Sequence, residues 1–304
     1  LPPVDAQPWA PPQRRVPAAA VARPQPTAPE DLPSLLSASQ VEALRECPYR
    51  FFARAVLHLR EDEELEREVD KRDYGSWLHA VLHRFHDERA PGAPAELAAL
   101  QAAARAELDV AGLEPAAMLP FLASFEAFAP AYLAWLADAE RDGWRWAEGE
   151  VALQAAPEAL APTRLHGRID RIDEGPSARL RLIDYKTGSG TSLAERMKPP
   201  TEDTQLAFYA ALLTARGAPP ADLEAAYLTL DDAKAPSLVH HDGVAATAAA
   251  LVEGLGDDLR RLRAGHAMPA LGEGPVCEHC EARGLCRRDH WDAAVPAAPS
   301  SGMP

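Results

Sequence analysis

The decisive stretch is Gly167-Arg168-Ile169-Asp170-Arg171-Ile172-Asp173, followed after a short loop by Leu182-Ile183-Asp184-Tyr185-Lys186-Thr187-Gly188. Both halves are short β-compatible runs, and Glu174-Gly175-Pro176 between them is a turn signal. On a strand, residues two apart face the same side. Asp184 and Lys186 therefore project together, and a hairpin brings Asp170 alongside Asp184. Two carboxylates meeting at one point are hard oxygen ligands suited to Mg2+ or Mn2+. A lysine two residues away can orient an attacking water and stabilise charge developing on a phosphate. An arbitrary Asp-x-Lys is more often a solvated cross-strand pair. Here Leu180 and Leu182 share the face of Asp184 and Lys186. Partial burial of the two charged groups follows, and that is costly unless they bind something.

Outward from this hairpin, residues 144–155, 164–173 and 179–186 read as strands. A helix is expected over 202–216, a strand over 224–230 and a helix over 244–264. Upstream, a helix begins near Ser37, where Ser39 and Glu42 have capping-box spacing. It carries Cys47, and Pro48 kinks or splits it. Further helices are expected at 74–88, 95–110 and 116–141, with breaks near Pro120 and Pro130. The charged run Glu61–Arg72 reads as solvated. These elements make an α/β domain with a mixed sheet flanked by helices.

The chain has 304 residues, 47% of them hydrophobic, enough for one sizeable core or two modest ones. Residues 1–33 hold ten prolines and few large apolar groups, and read as a disordered linker. Residues 293–304 read as a disordered tail, leaving 34–292 as the folded domain. A start at Leu1 rather than Met reads as a cut from a longer chain or a processed end. No run of 18 apolar residues and no basic leader before an apolar core is present, so neither a membrane partner nor secretion is expected, and the compartment is read as cytoplasmic. The formal charge of -15 counts against nucleic acid, unless acidic residues hold metal or a partner supplies basic surface.

Four cysteines occur: Cys47, Cys277, Cys280 and Cys286. In a reducing compartment such a cluster points to metal rather than disulfides. Four thiolates suit either a tetrahedral Zn2+ ion or an iron–sulfur cluster, and spacing alone does not choose between them. A zinc site of three cysteines with His279 or His290, with Cys47 merely buried, is also compatible.

The run from Gly167 to Gly188 resembles the motif core of PD-(D/E)XK nucleases, in the branch found at the end of RecB and AddB. The resemblance implies a restriction-endonuclease-like fold, with a helical N-terminal part and a Cys-rich C-terminal staple. It makes Asp170 and Asp184 metal-binding carboxylates and Lys186 the catalytic lysine. Gly75-Ser76-Trp77-Leu78-His79 matches the helix that supplies a further metal-side histidine, His79. Gln205-Leu206-Ala207-Phe208-Tyr209 matches the Gln-x-x-x-Tyr helix, whose Gln205 and Tyr209 position the lysine and the DNA. The same branch sets one cysteine before the nuclease motifs and three after them, which implies a 4Fe–4S cluster on Cys47, Cys277, Cys280 and Cys286. A metal-dependent DNA exonuclease for repair and recombination end processing is implied, the C-terminal part of a helicase-nuclease-like protein, working with a helicase-like domain or partner subunit. The chain has no phosphate loop, so it is not itself the motor. The alternatives are an inactive DNA-binding or scaffold module of the same fold, and a stand-alone exonuclease resembling those of CRISPR adaptation. His83, His86 and His166 match no motif and read as structural or surface residues. Glu150 ends an expected strand upstream of Asp170; it could approach the metals, but reads first as solvent-exposed. Arg45, Arg50, Arg54 and Arg168 are candidate phosphate contacts.

Overall fold

The computed structural model describes residues 20–60, 69–90, 96–114, 116–188, 190–198, 203–230 and 235–292. Residues 1–19 of the expected linker, most of the charged run and the tail at 293–304 lie outside the described residues.

The described chain opens with strand β1 (Leu35–Leu36), then helices α1 (Ala38–Glu46), α2 (Pro48–Phe51), α3 (Lys71–Glu88), α4 (Glu96–Ala111) and α5 (Leu119–Arg141). The sheet-forming part follows: β2 (Arg145–Ala155), β3 (Arg164–Glu174), β4 (Leu180–Lys186), α6 (Gly190–Arg196), α7 (Thr204–Ala215), β5 (Leu223–Thr229), β6 (Ser237–His240) and α8 (Val244–Arg263). A one-turn helix, α9 (Arg283–Cys286), lies in the Cys-rich end.

The six strands form one mixed sheet. β2, β3 and β4 run antiparallel in sequence, β4 pairs parallel with β5, and β6 returns antiparallel on β5. Short β1 pairs parallel with the start of β3. Helices cover both faces. Leu182 of β4 points to a core built with α1, α7 and α8, whereas Ile183 and Tyr185 point to a second core with α3, α4 and α5. This alternation is the period of a strand buried on both sides. α7 sits deepest: Leu206, Ala207, Phe208, Ala210 and Leu212 are all fully buried. An apolar helix of that kind needs a neighbour on every side, and the sheet and α8 supply them.

Several expectations are refined. The capping box is made by Ser37 with Gln40, two residues before the positions read from spacing, while Ser39 only touches the Ser37 hydroxyl at 3.1 Å. Pro48 does split the first helix, standing where its missing N–H costs nothing. Pro120 lies in the first turn of α5 and Pro130 is carried inside it without ending the helix. α5 is long and apolar enough to span a membrane by length and composition alone; its Phe125, Phe128, Tyr132 and Leu136 are buried in the second core. Residues 20–33, read as linker, are instead held against the Cys-rich end. The Pro24 and Pro26 carbonyls accept Ala270 N–H at 3.0 Å and Met268 N–H at 2.7 Å, and Val21 exchanges backbone bonds with His290 and Asp292. Proline lacks a donor, but its extended backbone keeps a free acceptor, so such a strap docks without a ladder of its own.

Candidate active site

The β3–β4 ladder closes with Arg171 opposite Ile183, and the two strands part beyond it. At the fork, Asp170 Oδ2 accepts the Tyr185 N–H at 2.8 Å, so a side chain replaces the missing backbone partner. Asp184 and Lys186 leave the same face of β4, with Lys186 Nζ 2.5 Å from Asp184 Oδ2. Lys186 also donates to Gln205 Oε1 at 2.9 Å and stands 5.1 Å over the Tyr227 ring. Gln205 Nε2 donates to Asp184 Oδ1 at 2.7 Å and reaches the Tyr209 hydroxyl at 3.4 Å. Asp203 sets this helix in place: one oxygen caps the Leu206 N–H and the other accepts the Tyr227 hydroxyl at 2.6 Å. Gly167 faces the same cluster. A Cβ there would lie 3.0 Å from the Tyr209 ring and 3.2 Å from Leu212.

α3 brings His79 to the other side of the fork, its Nδ1 3.5 Å from Asp170 Oδ2 and its ring edge-on to Tyr185. The structure thus brings together Asp170, Asp184, Lys186, Gln205, Tyr209 and His79, from β3, β4, α7 and α3.

Glu150, expected to face solvent, joins them. The β2–β3 pairing shifts register between Trp146 and Glu148, and Glu150 takes a left-handed φ of 49°. After this shift Gly149 pairs with Arg171 and Val151 with Ile169, which sets Glu150 opposite Asp170, so that donor atoms of His79, Glu150 and Asp170 all lie within 4.8 Å of one another. Gly149 permits it, because a Cβ there would lie 2.0 Å from the Trp146 ring. A glycine inside a strand was the available cue for a bulge.

Electrostatics fit a cation. Asp184 is buried and its pKa is pushed up to about 7, first by burial and then by the Asp170 charge, against the pull of Lys186 and His79. Its Oδ2 accepts no well-directed hydrogen bond despite the nearby lysine. Burial lowers the His79 pKa, but the Asp170, Asp184 and Glu150 carboxylates more than reverse this and leave it raised. Tyr209 is raised to about 12, chiefly by burial and then by Asp184. Crowded, buried carboxylates beside an imidazole are a donor set that a divalent cation can take. A cavity of about 750 Å3 opens onto this set, lined by Ser76, His79, His83, Glu150, Arg168 and Asp170. A second, of about 850 Å3, runs from Gln205 and Tyr227 to Arg45, Arg50 and His279.

Three of the four candidate phosphate contacts are engaged within the protein. Arg50 pairs with Glu46 and Glu281, Arg54 with Glu281, and Arg168 with Glu150. Of the unassigned histidines, His86 is buried and His83 lines the first cavity.

The four cysteines form no disulfide and line one small cavity, with Tyr49, Arg50 and Ala270. Cys47 Sγ accepts the Leu271 N–H at 3.5 Å, across 224 residues of sequence. Among the described residues, His79, Glu150 and Asp170 are the one set of three or more such donors that all lie within 4.8 Å of one another.

Residues 35–287 match the sequence profile of the PD-(D/E)XK nuclease superfamily. The chain belongs to this superfamily. Its mixed sheet with helices on both faces is the PD-(D/E)XK restriction-endonuclease-like fold. An uncharacterised Rickettsia felis protein is 26% identical to this PD-(D/E)XK chain over 172 residues. That match covers 52% of the chain and 19% of the relative, so the chain spans about a fifth of the relative's length. A Eubacterium rectale structure, whose exonuclease name is provisional, aligns at 14% identity with a TM-score of 0.46. The alignment covers 88% of this chain and 91% of that one.

Proposed function

We propose that the chain is a Mg2+- or Mn2+-dependent deoxyribonuclease, with Asp170, Asp184, His79 and Glu150 as metal donors and Lys186 as the catalytic cation. The observation that carries this reading is the fork in the sheet, where the buried Asp184 meets Lys186, Gln205 and the His79–Glu150–Asp170 set. When bound, a divalent cation would supply the positive charge that acidifies a water and steadies the leaving oxygen. The chain's own residues do the rest. Asp184 and Gln205 fix the Lys186 ammonium, which is placed to orient the water and meet charge developing on the phosphate. Tyr209, kept protonated, offers a hydroxyl beside Gln205.

Resemblance to the RecB/AddB branch supports exonucleolytic end processing in DNA repair and recombination, beside a helicase-like domain or partner subunit. It also supports a 4Fe–4S cluster on Cys47, Cys277, Cys280 and Cys286. A Zn2+ ion held by the same thiolates is the alternative. Joining Cys47 to Cys277 closes a long loop, a staple that offsets chain entropy.

A second reading, an inactive DNA-binding module, is favoured by the -15 charge and the engaged arginines. Cleavage of linear single- and double-stranded DNA with Mg2+, run anaerobically, separates the two. Wild-type cleavage that Asp184→Ala abolishes without unfolding supports the nuclease; equal cleavage by that variant refutes the site. Binding without cleavage by folded, cluster-loaded protein favours the second reading.

A further inference from the structure

Three elements deliver the set that converges within 4.8 Å: His79 from α3, Glu150 from β2 and Asp170 from β3. Behind them, a buried polar cluster takes one residue from each of the same three elements. His86 follows His79 on α3 by about two helical turns, Trp146 precedes Glu150 on β2, and Arg171 directly follows Asp170 on β3.

Contacts within this cluster are specific. Arg171 is 0% exposed and donates to Asp173 Oδ1 at 2.6 Å, to His86 Nε2 at 3.1 Å and to the Tyr132 hydroxyl at 3.1 Å. The His86 ring lies flat on Trp146, with centroids 4.2 Å apart and planes 6° from parallel. Arg171 stands 5.4 Å from the Trp146 centroid and 5.2 Å from that of Trp135 on α5. A guanidinium only donates, so His86 Nε2 is the accepting, unprotonated nitrogen. Arg181 donates to the other Asp173 oxygen at 2.9 Å. Two guanidiniums thus share one carboxylate in the interior. Burying such a group is costly, and apolar side chains could fill the same volume. What apolar side chains would not supply is directional contact among all three elements.

We propose that His86, Arg171 and Trp146 are positioning residues: they lock α3, β2 and β3 in register so that His79, Glu150 and Asp170 converge. This rests on the reading of that set as the metal centre. None of the three touches substrate or metal; each acts through its neighbour on the same element. Groups that hydrogen-bond metal ligands directly typically change metal affinity about 10- to 100-fold when altered, and these residues stand one step behind the ligands.

The test is Mn2+ affinity, measured by titration calorimetry on the full chain, beside thermal melting. Arg171→Lys, His86→Asn and Trp146→Leu are each expected to weaken Mn2+ binding about tenfold or more in the fraction that remains folded. Arg89→Lys is the comparison: Arg89 is a buried ion-pair residue at the end of α3, bound to Glu96 and Glu140, outside the cluster. It should lower the melting temperature and leave Mn2+ affinity at the wild-type value. Wild-type affinity in the three cluster variants, or an equal loss in Arg89→Lys, overturns the proposal. His79→Ala tells the two failures apart: if it too binds Mn2+ like wild type, the metal-centre reading falls and the positioning role falls with it.

Discussion

Replacing Asp184 with asparagine should stabilise the metal-free protein, and increasingly so as pH rises. In the unfolded chain this carboxyl loses its proton near 3.8; in the folded protein it does so near 7, because of burial and the Asp170 charge. Between those values the folded state binds more protons than the unfolded one, so stability falls as pH rises through the window. At roughly 1.4 kcal/mol for each pH unit, ionising Asp184 costs about 1 kcal/mol near pH 4.5 and about 4 kcal/mol near pH 8. Asparagine keeps the shape and the acceptor for Gln205 but carries no charge. Urea unfolding in chelator should therefore show Asp184→Asn ahead of wild type by a margin that grows from acid to alkaline pH. Adding Mn2+ at about 100 times its dissociation constant should return about 2.7 kcal/mol to the wild type and much less to the variant. A variant less stable than wild type near pH 8, or a difference that ignores pH, would refute the account of this site.

Glu150→Gln keeps the bulge and removes a charge, and calorimetry should show Mn2+ binding weakened more than about tenfold. Phe208→Ala empties a fully buried position in α7, and should cost about 3–5 kcal/mol in denaturant unfolding. Cys47→Ser should reduce iron and sulfide in anaerobically purified protein and lower its melting temperature; zinc without sulfide in the wild type would count against the cluster.

The hairpin was legible because strand periodicity is local. Asp184 and Lys186 share a face with Leu182 whatever surrounds them, and the turn at Gly175 fixes which strands meet. The α7 helix was legible as a helix between two strands, whereas Gln205 and Tyr209 were marked by the family resemblance and not by their spacing alone. Glu150 reads first as solvent-exposed, because the sequence leaves the register of β2 on β3 open and the shift between Trp146 and Glu148 decides it. The strap at residues 20–33 was missed for a different reason: its composition gives no core of its own, and its hydrogen bonds come from Met268 and Ala270.

By itself, then, the sequence determined the alternation of the central strands and the approach of Asp170 to Asp184 across one hairpin, since each follows from spacing within one or two elements, while the Gln205 helix was marked by the family resemblance. The tertiary structure alone decided that α3 carries His79 to Asp170, that Glu150 turns inward, and that Arg171 is buried on His86, Tyr132 and Trp146. Those contacts join residues separated by up to 91 positions, as between His79 and Asp170. Side-chain packing between elements sets such distances, and no local periodicity encodes it.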